Sequence, residues 1–563
     1  MGRFLPHTLR YVTSLDGMWD FAWLGDLDPD GVDTALLSFS EQMAVPGCFD
    51  ATPQYAGRRG LAAYRTVVTL LDGAPHRLVF NAVHHWCRVF ASGRCLGEHA
   101  GGFTRFNVDL PPQEAGEVEV VVLVDNRFNA ERCPLHMPHF DWYQFGGITR
   151  PVELHRLGAL WIEACKLTTE RIQPPALKVQ LDYRLNRPNG EVPLSIFWNG
   201  RAVLQEKVAL AEAGGRLERL LELPGAELWS PEAPRLHMLE VRLGGDDLRQ
   251  RVGLRQVRVA GRQLLLNEQP LRLAGFNRHE AHPQFGHALP EQVLVADLQQ
   301  LRDMGCNFVR GSHYPQDERF LDLCDEAGLC VWSEGTGWQH TAEQLTDERF
   351  LAAQQAMLEE MVAVAQNHPS VILYGILNES LTTDPAARRS YARLFGRLRE
   401  LDCTRPLTFA TNHVFEDLCL DLADVISVNT YPGWYHAEIE AIPGYLDSVA
   451  QHLDEIGQGN KPLILSEIGA AAVPGWRDWN EDRWSEQYQA RLLETVIRHL
   501  FFNAEQERFN GLAIWQFSDI RTGGGVQRML TRARGFNNKG VLDEYRRPKQ
   551  AYGVVKELFN KLT

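Results

Sequence analysis

The spacing of apolar residues changes character once along the chain, near residue 259. Before that point the apolar runs are short and rich in Val, Leu and aromatics, as in "HRLVFNAVHHWCRVFASG" and "GEVEVVVLVDN". Gly, Pro and Asp separate them, which predicts strands and turns with no helical period over residues 1–157. Residues 158–258 continue in the same vein. "LKVQLDYRL" and "HMLEVRLGG" alternate apolar and polar positions, the mark of half-buried antiparallel strands. About 100 residues with regular turns predict an immunoglobulin-like sandwich.

From residue 259 to 563 the period alternates between helix and strand. "VLVADLQQLRDMG" is helical and "NFVRGSHYP" is a strand with a polar end; "ERFLDLCDEAGL" is helical and "CVWSEGTG" is a strand. Residues 348–366 space Phe350, Leu351, Met357, Leu358, Met361 and Val362 along one helical face. The strands "SVILYGILNES", "PLTFATN", "DVISVNTYP", "KPLILSEIG" and "GLAIWQFSD" follow. Buried strands alternating with helices over some 300 residues predict a (β/α)8 TIM barrel, with an open doubly wound sheet as the alternative. Nearly every strand ends in polar or aromatic residues, and only a barrel gathers such ends at one mouth. The expected architecture is therefore two β domains, 1–157 and 158–258, and a catalytic barrel over 259–563.

Composition narrows the function. The 563 residues carry a formal charge of −15, spread along the chain, which argues against a nucleic-acid partner. No run of 18 apolar residues occurs and the N-terminus has no apolar signal core, so a cytoplasmic, non-membrane protein is expected. Ten Cys without a CxxC pair read as reduced, buried thiols. No Gly-rich phosphate loop follows a strand and no metal-ligand cluster stands out; neither cofactor nor metal is expected.

Two strand ends carry a lone Glu after a buried apolar run: Glu379 in "LYGILNES" and Glu467 in "LILSEIG". Paired carboxylates at a barrel mouth suit glycoside hydrolysis. One protonates the leaving oxygen and the other attacks the anomeric carbon. Taken singly, either Glu reads as well as a helix cap or an arginine partner.

"SLDGMWDFA", "LGEHAGGFTRFNVDL", "FDWYQFGGITRPVELH", "NFVRGSHYPQDERFLDLCDEAGL" and "NHPSVILYGILNES" run nearly end to end in a pattern that resembles family 2 glycoside hydrolases, and within them the β-glucuronidase group. The resemblance implies a jelly-roll-like sugar-binding domain at 1–157. It also implies a retaining, exo-acting hydrolase that removes terminal β-D-glucuronic acid from a small-molecule or oligosaccharide β-glycoside. Glu379 matches the acid/base and Glu467 the nucleophile. Asn378 matches the residue that holds the 2-hydroxyl, Tyr431 the tyrosine beside the nucleophile, and Arg310 a cation that keeps the nucleophile ionised. His313, Asn429 and Trp515 match substrate contacts, Trp515 as an apolar sugar platform. A homo-oligomer, dimer or tetramer, is the expected assembly.

What meets C5 of the sugar has to decide the substrate. Asn537-Asn538-Lys539-Gly540 resembles the N-x-K-G signature that recognises the glucuronate carboxylate, and Asp141 and Tyr435 match further uronate contacts. The arginine expected four residues before Asn537 is Ala533 here, flanked by Arg532 and Arg534, in a segment (521–536) longer than the pattern requires. A rearranged loop there offers the carboxylate a different arginine or favours galacturonate, which differs only at C4. A β-galacturonidase or β-galactosidase on the same scaffold, and more distantly a non-catalytic carbohydrate-binding protein, remain the alternatives.

Overall fold

The computed structural model of the chain describes residues 4–137, 139–186, 190–210, 213–504, 506–523 and 531–562. The first region is a pair of antiparallel sheets. Six strands run in the order Glu41–Val45, Gly17–Gly25, Leu61–Leu70, Gly116–Asp125, Trp86–Ala91, Arg94–Ala100. Four more, Tyr11–Ser14, Val152–Arg156, His76–Phe80 and Phe106–Asp109, form the facing sheet. Alternate residues Val118, Val120, Val122 and Val124 bury themselves with Leu78, Phe80, Val152 and Leu154 between the two.

A second sandwich follows. Three strands (Leu160–Ile172, Pro175–Leu185, Gly214–Glu222) oppose four (Arg201–Leu210, Gly190–Trp198, His237–Leu243, Asp246–Val252), and seven strands suit the immunoglobulin-like expectation.

The remaining strands close into a barrel of eight parallel members: β1 Leu273–Arg278, β2 Phe308–Gly311, β3 Cys330–Glu334, β4 Val371–Asn378, β5 Leu407–Thr411, β6 Ile426–Asn429, β7 Leu463–Glu467 and β8 Phe509–Ile514. Closure runs through β1 and β8, where Leu273 pairs with Gly511 and Phe276 with Ile514. The open-sheet alternative is thereby set aside. Helix Glu348–Ala365 buries Phe350, Leu351, Met357, Leu358, Met361 and Val362, the face that its period announces. A three-stranded patch (Val257–Ala260, Gln263–Leu266, Gln269–Pro270) plugs the bottom. Its Val257, Leu264 and Leu266 pack with Leu273, Phe308, Cys330 and Ile464 from the starts of barrel strands. The catalytic chemistry is left to the opposite, C-terminal mouth.

All ten cysteines are free thiols, eight of them buried; Cys95 and Cys403 are exposed. Among the described residues no helix is long and apolar enough to cross a membrane.

The first sandwich meets the barrel through a layer of rings. Phe103 stacks on Tyr314 with centroids 3.8 Å apart, and His84, His85, His136 and His287 pack around them. His287 is held to the Glu280 carbonyl oxygen at 2.6 Å. Burial drives these imidazoles down, His287 to about 4 and His136 to about 3. Such a group stays neutral when folded but takes a proton when unfolded, starting below its ordinary 6.5. Stability is therefore lost as the pH falls from about 6.5 towards 4. For His287 alone the loss reaches about 3 kcal/mol. Thermal midpoints measured from pH 7.5 to 4.5 are expected to fall across that window, and His287→Gln is expected to flatten the slope.

Candidate active site

The mouth of the barrel is organised from the strand ends. All eight residues of β4 are buried, so the strand is fixed on both faces and its last residue, Asn378, opens into the mouth. The register of β4 against β5 slips between Ile376 and Asn378, and that of β6 against β7 slips between Val428 and Asn429. Such irregularities re-aim side chains at a sheet's end. Glu379 then adopts φ +47°, a left-handed conformation that costs a non-glycine residue about 1 kcal/mol, and anchors its N–H on the Ala410 carbonyl oxygen at 2.9 Å.

Arg310, at the end of β2, is the hub. It is 0 % exposed. Its guanidinium donates to both oxygens of Glu334 (2.7 and 3.0 Å), to Glu467 Oε1 at 2.8 Å, to Asn378 Oδ1 at 2.7 Å and to Asn277 Oδ1 at 3.0 Å. Tyr431 donates its hydroxyl to Glu467 Oε2 at 2.6 Å. Both Glu467 oxygens are thus held, one by a cation and one by a phenol. Asn429 donates to Asn378 Oδ1 (3.0 Å) and to Glu379 Oε1 (2.9 Å), and Ser466 fixes Asn429 from behind at 2.7 Å. Gln339 donates to Glu379 Oε2 at 3.0 Å. The amide Nδ2 of Asn378 is buried and has no partner among the described residues.

Burial pushes Glu467 up to about 8, aided by the facing Glu379 carboxylate and opposed by Arg310 and Tyr431.

His313 is buried and neutral, its basicity lowered by burial and then by Arg310. It sits 2.8 Å from Glu334 Oε1 through Nδ1, which leaves Nε2 facing Glu467. Trp515 stacks on His313 at 5.2 Å and 14°, a flat apolar wall beside the carboxylates. Trp142, from the first sandwich, closes that wall 5.4 Å from His313.

The second half of the cleft is cationic. Lys539 is 2 % exposed. Its ammonium donates to the Tyr435 hydroxyl at 3.0 Å and lies over the rings of Tyr435, Trp434 and Tyr431 at 5.0, 5.5 and 5.7 Å. Among the described residues it has no carboxylate partner. Asn537 donates to Asp141 Oδ2 at 2.9 Å, and Arg532 grips the same carboxylate at 2.8 and 3.2 Å. Arg534 turns the other way, to Glu544 at 3.0 Å. Of the segment 521–536, residues 524–530 lie outside the described residues. Tyr435 is the outermost member, 58 % exposed.

All twelve residues singled out from the sequence therefore line one cleft or pack directly behind it. A third strand-end glutamate, Glu334 at the end of β3, joins Glu379 and Glu467, behind Arg310 and His313. "LCVWSE" carries the same signal, an apolar run closed by a carboxylate. Asn277, Gln339 and Trp142 were also missed, since nothing local distinguishes them. Two groups of potential metal-binding side chains occur among the described residues, His7/Asp246/Asp247 and Asp322/Asp325/His368, and neither includes a residue of the cleft.

Paired carboxylates at a barrel mouth, with a cation, a phenol and an aromatic wall around them, define a glycoside hydrolase. Residues 257–563 match the family model for "Glycosyl hydrolases family 2, TIM barrel domain", and the chain belongs to glycoside hydrolase family 2. It is 29% identical to the β-glucuronidase of Sus scrofa over 86% of this chain and 78% of that one. With the β-glucuronidase of Felis catus the identity is 30%, at the same coverage. Among solved structures it is similar to a GH2 β-galacturonidase from Eisenbergiella tayi bound to galacturonate, with TM-score 0.93 and 33% identity over 100% of this chain and 99% of that one. The β-glucuronidase of Bifidobacterium dentium complexed with coumarin-3-O-glucuronide gives TM-score 0.89 and 25% identity over 100% and 99%.

Glu334 titrates near 7, pushed up by burial against the pull of Arg310. Glu334→Gln mimics its protonated form. The variant is expected to lose roughly 10- to 100-fold in kcat above pH 7, where the wild-type carboxylate is charged and holds Arg310 in place. Below about pH 6 the two enzymes should converge. Steady-state rates across pH 5–9 on a chromogenic β-glycoside check this.

Proposed function

We propose that the chain is a retaining, exo-acting β-hexuronidase that releases a terminal hexuronic acid from β-uronides by double displacement. The observation that carries the uronate reading is Lys539. A buried ammonium without a counter-ion is costly by several kcal/mol, and each aromatic face returns only about 0.5–2 kcal/mol. A substrate carboxylate supplies the missing charge, with Asn537 oriented beside it by Asp141.

The carboxylate pair then takes its roles from its neighbours. Glu467, gripped by Arg310 and Tyr431, attacks the anomeric carbon. Glu379, whose contacts Asn429 and Gln339 are neutral amides, gives a proton to the departing glycosidic oxygen. The bond from C1 to that oxygen breaks as the bond from C1 to Glu467 forms. In the second step Glu379 takes a proton from water, which attacks C1 and frees Glu467. Asn378 Nδ2, the unpartnered donor, meets the 2-hydroxyl. Trp515 and His313 flank the apolar face of the ring.

Two uronates differ only at C4. The galacturonide is the reading we favour, because the likeness to the Eisenbergiella tayi β-galacturonidase spans both chains at 33% identity. Arg532, at a position the β-glucuronidase pattern does not use, grips Asp141 in the same pocket. The glucuronide reading draws on the curated β-glucuronidases at 27–30% identity. Initial rates on 4-nitrophenyl β-D-galacturonide, β-D-glucuronide, β-D-galactoside and β-D-glucoside separate the four; the first is expected to be fastest, and neutral sugars turning over as well as their uronides would remove the uronate reading.

Lys539→Ala is expected to cost about 2–4 kcal/mol of transition-state binding on the uronides, roughly 30- to 1000-fold in kcat/KM, while the matching neutral glycosides change little. A parallel loss on both would assign Lys539 to the fold. Proton NMR of early hydrolysis is expected to show the β-anomer of the free uronic acid first. The α-anomer appearing first would mean inversion and take the nucleophile role from Glu467.

A further inference from the structure

The closed end of the barrel, opposite the carboxylates, carries a second polar hollow. A cavity of about 300 Å³ lies where the second sandwich meets the starts of the barrel strands; it shares Arg258, Thr404 and Arg405 with a neighbouring hollow of about 460 Å³, whose lining also includes Asp421 and Asp424. Arg255, Arg258 and Arg405 line the first cavity with Thr169, Thr404 and Asn367, and no Asp or Glu is among its lining residues. In a chain of net charge −15 this concentration of cations is not a sample of the average surface.

The three arginines are not equally compensated. Arg405 is paired with Asp402 at 2.5 Å and donates to the carbonyl oxygens of Gln366, His368 and Val371. Arg258 is paired with the exposed Glu268. Arg255 is 7 % exposed and makes no ion pair among the described residues. Its Nε and Nη2 donate to the Pro369 and Val371 carbonyl oxygens at 3.0 and 2.8 Å, and Nη1 donates to no described residue. Burial, and then the neighbouring Arg405, lower it to about 9. Thr169 Oγ1 accepts the Arg255 backbone N–H at 3.3 Å, and its own proton goes to no described residue. A guanidinium that lines a cavity with an N–H and, among the described residues, no ion-pair partner for it, beside a hydroxyl whose proton is undonated, is arranged for an oxyanion.

We propose that this cavity is a binding site for a small oxyanion, a phosphate or a carboxylate, held by Arg255 Nη1 and the Thr169 hydroxyl with Arg258 at the rim. It joins the second sandwich (Thr169) to the base of the barrel, so an occupant ties the two together and stabilises the whole chain. The site is independent of the uronate reading, which concerns the other end of the barrel.

Inorganic phosphate is the probe, titrated at constant ionic strength made up with chloride. Millimolar phosphate is expected to raise the thermal midpoint by about 1–3 °C. Isothermal titration should give the same dissociation constant in wild type and in Lys539→Ala, which removes the cation that, among the described residues, stands in the active-site cleft without a carboxylate partner. Arg255→Gln should abolish both signals. Thr169→Val keeps the charge, removes the hydroxyl and should weaken phosphate at least fivefold; it decides the matter if Arg255→Gln does not fold. Galacturonate in place of phosphate on Lys539→Ala tells a carboxylate occupant from a phosphate. Binding that vanishes in Lys539→Ala, or that survives both cavity variants unchanged, overturns the proposal.

Discussion

One buried guanidinium sets the terms for the catalytic end of this protein. Arg310 has no access to water and would be strongly destabilising unless its donors found acceptors nearby. It finds them on four different strands: Asn277 from β1, Glu334 from β3, Asn378 from β4 and Glu467 from β7. A charge-assisted network of that kind fixes geometry better than packing alone, because each bond has a narrow range of length and angle. Glu467 and Asn378 are therefore positioned by the same cation. The barrel closes around it.

Around that centre the burial of charge is managed unevenly, and the unevenness is informative. Glu334 pairs with Arg310 at 2.7 Å, and Asp297 with Arg278 and Arg546 at 2.9 Å. Lys539 and Arg255 are left with π-faces and carbonyl oxygens. A folded chain tolerates one or two such debts when ligand binding removes them. Lys539 stands in the cleft that holds the carboxylates and Arg255 at the closed end, so two buried cations without an ion pair among the described residues mark opposite ends of the barrel.

The first sandwich is more than an appendage. The segment between its strands Gly116–Asp125 and Gly147–Ile148 reaches over the mouth, placing Asp141 against Arg532 and Asn537 and Trp142 against His313. Arg150 locks the reach by donating to Glu280 at 2.9 Å. The cleft is thus a joint product of two domains whose residues lie some 400 positions apart, so Asp141, Asn537 and Arg532 were each visible in the sequence while their pairing was not.

Much of this was legible beforehand. Short Val- and aromatic-rich runs marked the first sandwich, period-two alternation the second, and the switch to alternating helix and strand the barrel, because burial of one face imposes such patterns on any sequence. Glu379 and Glu467 were visible as carboxylates closing apolar runs, and Glu334 carried the same mark without being weighed. Only the tertiary structure decided the rest. Which carboxylate is lifted to about 8, which lysine lacks a counter-ion and which of Arg532 and Arg534 turns into the cleft all depend on distances and desolvation summed over segments far apart in the chain. Local pattern records what a residue is and which face it occupies; the electrostatic state of a buried group belongs to the whole set of neighbours that folding brings to it.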